Sequence, residues 1–222
     1  GGLSRRVEGR VLVVTMDDGR ANALSIEQSR GLLGALADAE ADADIAAVVI
    51  AGRPGRFSGG FDLGVIGSGD GARIREMVDG GGELVRRAYG CSVPVVAACT
   101  GHAVAAGALL LLGCDHRVGP DADVKIGLNE VAIGLTLPGW ALTIAAERLS
   151  RRHLQRSVAN ARLFDGKGAV DAGFLDEVVA PDAVIATAIE RASELAALDP
   201  SAYAGTVAAL RGRTLEAMVT GG

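Results

Sequence analysis

The chain has 222 residues, enough for one domain with a full hydrophobic core, and its 49% hydrophobic and 22% charged residues are ordinary for a globular fold. A net charge of -5, with no basic block interleaved with aromatics, argues against nucleic-acid binding. Aromatics make up only 3% while glycine reaches 32 residues, so the core is built from Ala, Val, Ile and Leu and the backbone turns tightly and often.

In chain order, "RVLVVTMDD" (residues 10–18) is a β-branched run closed by charge and Gly19, which predicts a strand. Ser25 reads as the N-cap of a helix whose stripe includes Leu32, Leu33 and Leu36. "IAAVVIAG" (residues 45–52) is a continuous apolar run, as expected of a strand buried on both faces. "RPGRFSGGFDLG" (residues 53–64) reads as a Gly/Pro-rich loop. Residues 69–89 read as a helix weakened or kinked at Gly80-Gly81-Gly82.

"VPVVAACTG" is the next buried strand, followed by the helix "AAGALLLLG". "DHRVGP" is a short strand, and "DVKIGLNEVAIG" a strand leading into a loop. Pro138 starts a further helix, "PGWALTIAAERLS". Residues 151–161, 168–173, 183–198 and 202–219 complete a helical C-terminal half. Within it, Arg151-Arg152-His153 reads as a helix start or a solvated surface. Strands alternating with helices over the first 130 residues imply an α/β fold with parallel strands.

Cys91, Cys99 and Cys114 lie in apolar contexts without ligand spacing and read as buried thiols of a reducing compartment. His102, His116 and His153 form no metal-binding pair, so no metal site is expected. The longest apolar run, residues 103–112, is far shorter than the roughly 20 residues a bilayer span requires, so no membrane insertion is expected. With no secretory signal pattern at the N-terminus, the expectation is a cytoplasmic protein.

No phosphate-loop, dinucleotide-binding or nucleophile-elbow signature is present. What remains is two turns of tiny residues, "FSGGFDL" (residues 57–63) and "GHAVAAGALL" (residues 101–110), each read as following a buried strand. They are either tight turns in a Gly-rich chain or backbone N–H donors for developing negative charge. Converging, two such turns would form an oxyanion hole worth about 3–4 kcal/mol per donor in the transition state.

These stretches carry a resemblance. "FSGGFDL" is similar to the FxAGxDL loop of the crotonase superfamily, the enoyl-CoA hydratase/isomerase family, and "DDGRANALS" to its N-terminal "NAL" turn. "PVVAACTGHAVAAGALLLLGCDHRVG" resembles its strand–helix unit with the following CD-x-R strand. "NEVAIGLTLPG" resembles its PE-x-x-[IL]-G loop, and "RLFDGKGAVDAGFLDEVV" its A-x-x-x-GLV segment. The blocks keep the family order from about residue 7 to residue 181.

The resemblance implies an α/β fold of ββα spiral turns over residues 1–180. A C-terminal helical segment, 181–222, would serve as oligomer contact or lid, in a homotrimer or a dimer of trimers. It implies acyl-CoA thioester substrates, with coenzyme A as part of the substrate and no separate cofactor. The two enolate-stabilising N–H groups fall on Phe61 and Ala106, and Gly107 keeps the close approach. Asp62 would order its loop, followed by Leu63. Ala21 and Ala23, flanking Asn22, match positions where the family lays the adenine and pantetheine; Arg20, Arg53 or Arg56 would either meet CoA phosphates or remain solvated.

Family hydratases carry two glutamates around a water. The second maps to Glu130, whose neighbours Val131, Ala132 and Ile133 are apolar, giving a raised pKa and acid/base work. The first falls on Leu109. A lone carboxylate suits moving a double bond from C3 to C2, or slow hydration, better than fast hydration. The other expectations are a catalytically weak acyl-CoA binder, or a different reaction of the family such as thioester hydrolysis or decarboxylation. Trp140, in place of a small residue, either shortens the acyl pocket or packs in the core.

Overall fold

The computed structural model describes residues 2–220. The chain opens with β1 (Leu3–Glu8), β2 (Val11–Met16) and the short β3 (Ala23–Leu24), then α1 (Ile26–Ala41) and β4 (Ala47–Ala51). Two short strands, β5 (Gly55–Ser58) and β6 (Gly60–Phe61), lead to α2 (Leu63–Ile66) and the long α3 (Gly71–Tyr89). β7 (Val95–Ala98), β8 (Gly101–Val104) and α4 (Ala106–Leu112) follow, then β9 (His116–Pro120) and β10 (Ile126–Gly127). The remainder is α5 (Gly139–Arg148), α6 (Arg151–Val158), β11 (Leu163–Phe164), α7 (Gly166–Ala172), β12 (Glu177–Val179), α8 (Val184–Ala196) and α9 (Pro200–Thr220).

A six-stranded sheet in the order β1-β2-β4-β7-β9-β12 forms the floor of the molecule, parallel except for the β1–β2 hairpin. Its central strands are apolar throughout because both faces are covered. Val11, Val13, Ala47, Val49, Val96 and Ala98 face one core, closed by Val184, Ala188 and Ala192 of α8. The alternate residues, such as Leu12, Val14, Val48, Ile50 and Ala97, face the larger core with α1, α3 and α4. A four-stranded sheet, β11-β10-β8-β5, and the β3–β6 pair stand over that larger core. No described helix is long and apolar enough to cross a membrane.

The structure corrects the sequence reading in several places. Residues 53–64 are not simply loop: they hold β5 and β6, whose few residues pair with β8 and β3. The turn before α4 does not follow β7 directly, since β8 intervenes. The C-terminal half also contains β11 and β12, and β1 precedes the first strand expected.

α3 runs unbroken through Gly80-Gly81-Gly82, because two of these glycines make room for aromatic rings. A Cβ at Gly81 would stand 2.6 Å from Cζ of Phe61, and one at Gly82 would stand 2.8 Å from Nε1 of Trp140. Packing against tertiary partners offsets the local propensity cost of roughly 1 kcal/mol per glycine. Trp140 is buried against α3 as part of the core.

α9 is fastened to the core by a polar cluster. Asp115 accepts hydrogen bonds from the Tyr203 hydroxyl (2.5 Å), Arg211 Nη2 (2.8 Å) and the Val95 N–H (2.8 Å). Arg211 also donates to the Tyr89 carbonyl and lies 4.6 Å over the Tyr89 ring. Cys91, Cys99 and Cys114 are buried free thiols, and burial pushes Cys99 and Cys114 up to about 12.

Candidate active site

The site is assembled from four turns. In the first, the Asp18 carboxylate accepts from the backbone N–H groups of Arg20 (2.7 Å), Asn22 (2.9 Å) and Ala23 (3.2 Å). Burial pushes the Asp18 carboxyl up, but these bonds and nearby Arg53 outweigh it and hold the pKa below its ordinary value. Asn22 is fully buried at φ 51°, a left-handed conformation that asparagine tolerates. Its Nδ2 donates to the carbonyls of Met16 (2.8 Å) and Phe57 (3.2 Å), and its Oδ1 accepts from Asp18 N–H (2.9 Å). Ala21, exposed, presents its carbonyl to Gly59 N–H at 2.7 Å.

That hydrogen bond begins the β3–β6 pairing, in which Ala23 faces Gly60 and Leu24 faces Phe61. The second turn, Gly59–Asp62, is thereby drawn toward the third. Gly60 has φ +92°, and a Cβ there would stand 3.0 Å from the Val104 carbonyl oxygen and 3.3 Å from Ala106 N. Only glycine fits such an approach. Asp62 then caps α2, accepting from Gly64 N–H at 2.8 Å.

The third turn carries its strain on Ala105, at φ 52° and ψ -125°, with its N–H bonded to the Gly127 carbonyl at 2.9 Å. A non-glycine residue held there costs on the order of 1–3 kcal/mol, which the surrounding fold must supply. Ala106 opens α4 with helical backbone, so an alanine side chain in place of glycine leaves its N–H unobstructed. The first N–H groups of a helix have no intrahelical acceptor, and no side chain caps this one. Gly107 brings α4 against β5: a Cβ there would stand 2.8 Å from Ser58 Cβ.

The fourth turn follows β10. Glu130 precedes a single 3-10 turn, Val131–Ile133, and its carbonyl accepts from Ile133 N–H and Leu135 N–H. Glu130 is 7% exposed and its Oε1 has no hydrogen-bond partner among the described residues. Burial raises its pKa from the ordinary 4.5 to about 6, the cost of holding a carboxylate away from water.

The second, third and fourth turns line a cavity of about 340 Å³. Phe61, Leu63, Ala105, Leu109 and Glu130 line it, with Ile66, Ile74 and Val78 supplying an apolar wall from α2 and α3. Leu109, 1% exposed, is the residue α4 presents to it. Trp140 is not among the lining residues. Ala106 and Gly107 are not among the lining residues, while Ala23 and Asp62 line a separate groove of about 540 Å³ next to Ser25 and Gln28. Arg53 is engaged within the loop, donating to the Arg20 carbonyl and pairing with Asp17 at 3.1 Å.

Two cavity features escaped the sequence reading. Asn129 lines the cavity beside Glu130, with a buried Oδ1 that has no partner among the described residues. It stands where the resembled loop has proline, and that departure was the available signal. The other is the glycine notch in α3 that receives the Phe61 ring, whose only trace in the sequence is a glycine triplet inside a helical pattern.

A model of the family described as enoyl-CoA hydratase/isomerase matches residues 6–220. The chain belongs to that family. Among curated relatives, human mitochondrial enoyl-CoA delta isomerase 1 is 30% identical over 212 residues, covering 95% of this chain and 70% of that protein. The rat protein of the same name is 31% identical over 82% of this chain and 64% of its own length. A putative enoyl-CoA hydratase of Thermus thermophilus is 33% identical, covering 87% of this chain and 78% of that protein.

Solved structures place the fold in the crotonase class. The probable enoyl-CoA hydratase EchA3 of Mycobacterium tuberculosis superposes with TM-score 0.95 at 42% identity, covering all of this chain and 93% of that one. Human mitochondrial delta3-delta2-enoyl-CoA isomerase superposes with TM-score 0.94 at 28% identity, covering 99% of this chain and 87% of that one. The chain is thus an acyl-CoA enzyme of the hydratase/isomerase type.

Proposed function

We propose that this enzyme moves the double bond of a 3-enoyl-CoA thioester to the 2-position, with Glu130 as its single acid/base. The observation that carries the reading is the contrast within one cavity: a buried carboxyl whose Oε1 has no partner among the described residues, and Leu109 where family hydratases have their other glutamate. Acid/base chemistry near neutral pH needs a group with pKa near the operating pH, and burial brings Glu130 to about 6.

In the proposed reaction the ionised Glu130 removes a proton from C2. The electron pair moves onto the thioester oxygen, forming a dienolate. The backbone N–H groups of Phe61 and Ala106 stabilise that oxygen, a contribution of about 3–4 kcal/mol per donor. The pair then returns to form the C2–C3 double bond while the protonated Glu130 delivers its proton to C4. One carboxyl is consumed and regenerated, and coenzyme A is part of the substrate. The coenzyme would lie along Ala21, Ala23, Asp62 and Leu63, whose backbone the Asp18–Asn22 turn holds in place.

The test is turnover of 3-enoyl-CoA followed by the rise of conjugated thioester absorbance, for the native chain and for Glu130→Gln. Isomerisation by the native chain with a loss of about 10²–10⁴ in the variant supports the reading. Binding of acyl-CoA with no turnover of either enoyl isomer would instead identify a weak acyl-CoA binder.

A further inference from the structure

We propose that the surface groove between the Glu130 turn, α5 and α6 is a second acyl subsite, which takes the distal part of a long straight-chain acyl-CoA. The inference rests on the reading of the neighbouring cavity as the place of the thioester and the double bond. Leu135 and Thr136 line that cavity and also an open space of about 390 Å³, so the two meet at these residues. Leu142 and Val158 line that open space and a further one of about 570 Å³ along α5 and α6. The three spaces thus share lining residues in succession and form one path from Glu130 to α6.

The path is apolar where water reaches it. Val131 is 47% exposed and Leu142 is 44% exposed, with Val158 half-buried beside them. No carboxylate lines either open space. A continuous apolar strip left in water marks a surface that binds something.

Continuity with the cavity decides what covers it. In the proposed reaction the thioester oxygen sits at Phe61 and Ala106, and Glu130 faces C2 to C4. The carbons beyond C4 then meet Ile133, Leu135 and Pro138, which line the cavity just after Glu130 in the chain. A tail that outgrows about 340 Å³ reaches Leu135 and Thr136, and past them runs along Leu142 and Val158. An extended peptide would find few partners there for its backbone N–H and C=O groups, whereas a polymethylene chain asks for none. Each methylene moved from water onto such a wall tightens binding by about two- to fourfold, the lower value for a chain still half in water.

The experiment measures, by calorimetry, the affinity of saturated acyl-CoA with six, eight, twelve and sixteen carbons, each below its micelle-forming concentration. Saturated chains bind without isomerising, so the result does not depend on turnover. The expected result is an affinity that keeps rising from eight to sixteen carbons in the native chain. The ratio of sixteen-carbon to six-carbon affinity should fall tenfold or more in Leu142→Glu and Val158→Glu, which put a charge on the path, and be kept in Leu142→Met. Affinity that levels off at eight carbons overturns the proposal, as does a ratio indifferent to both glutamates. A particle mass that falls in Leu142→Glu on sedimentation also overturns it, because a second copy of the chain would then be what covers the groove. Turnover of a six-carbon 3-enoyl-CoA scores the isomerase reading separately. Its absence leaves a tail-length dependence standing, whereas a chain that binds no acyl-CoA of any length takes both down.

Discussion

The ring of Phe61 occupies the space that a side chain at Gly81 would need, with a Cβ at that position standing 2.6 Å from Cζ. The residue proposed to donate to the enolate oxygen is therefore held from both ends: its backbone pairs with Leu24 in β3, and its ring seats in α3. Gly81→Ala should displace the ring, cost about 1–3 kcal/mol in stability by overpacking, and lower kcat by tenfold or more through misplacement of the loop. Gly80→Ala is the control. Open space surrounds that position, so the change should stabilise the helix by about 0.5–1 kcal/mol. Chemical denaturation and steady-state kinetics on the two variants distinguish a seat for Phe61 from a merely flexible helix.

The pH dependence is set by Glu130. Proton removal needs its ionised form, so kcat/KM for 3-enoyl-CoA should fall tenfold per pH unit below about pH 6 and be flat above it. A rate profile from pH 4.5 to 8 with a single acid limb near 6 is the expected result. A limb near 4.5 would mean that the reacting carboxyl is not this buried one.

The same burial makes a stability prediction of opposite direction. Glu130 has a higher pKa folded (about 6) than its ordinary 4.5, so between those values the native state binds the extra proton. Stability is therefore higher below pH 4.5, declines as pH rises through the window, and levels off above 6. The cost of the ionised form is about 2 kcal/mol at neutral pH. Glu130→Gln should remove it, raising Tm at pH 7.5 while lowering turnover by about 10²–10⁴.

Asn22 ties three segments together through Met16, Asp18 and Phe57. Asn22→Ala should destabilise by about 2–4 kcal/mol, because several buried backbone groups lose their partners at once. A thermal melt checks the stability. Acyl-CoA affinity should weaken in the folded fraction, since this turn carries Ala21 and Ala23.

α9 offers a separable test. Replacing Arg211 by Met leaves Asp115 buried with only Tyr203 and Val95 N–H. Breaking such a pair from one side costs on the order of 3 kcal/mol. Hydrogen exchange should show the loss concentrated in α9, with β4 and β7 still protected.

What could be read from residues alone divides by length and by partner. The run at residues 45–52 announced β4 because a strand covered on both faces needs nothing but apolar side chains. Ser25 announced α1 because its hydroxyl accepts from Gln28 N–H, a bond made within four residues. β1 was silent: five of its six residues are exposed and two are arginines, so no apolar alternation marks it. β5, β6 and β8 are two to four residues long and owe their existence to partners distant in sequence. Their glycines read as loop for that reason. Glu130 and Leu109 were placed by resemblance. Asn129 was not, since a side chain's want of a partner is a property of the folded cavity alone.

The burial of α4 bears on how such a site could change its chemistry. All seven residues from Ala106 to Leu112 are buried, and none is polar. A carboxylate introduced at Leu109 would enter the cavity that already holds Glu130, where burial and the neighbouring carboxyl would both oppose its ionisation. Turning this one-acid cavity into a two-acid one would therefore add a second buried carboxyl beside the first, and the two would titrate as a coupled pair. Leu109 thus keeps the chemistry of the cavity tied to a single titrating group.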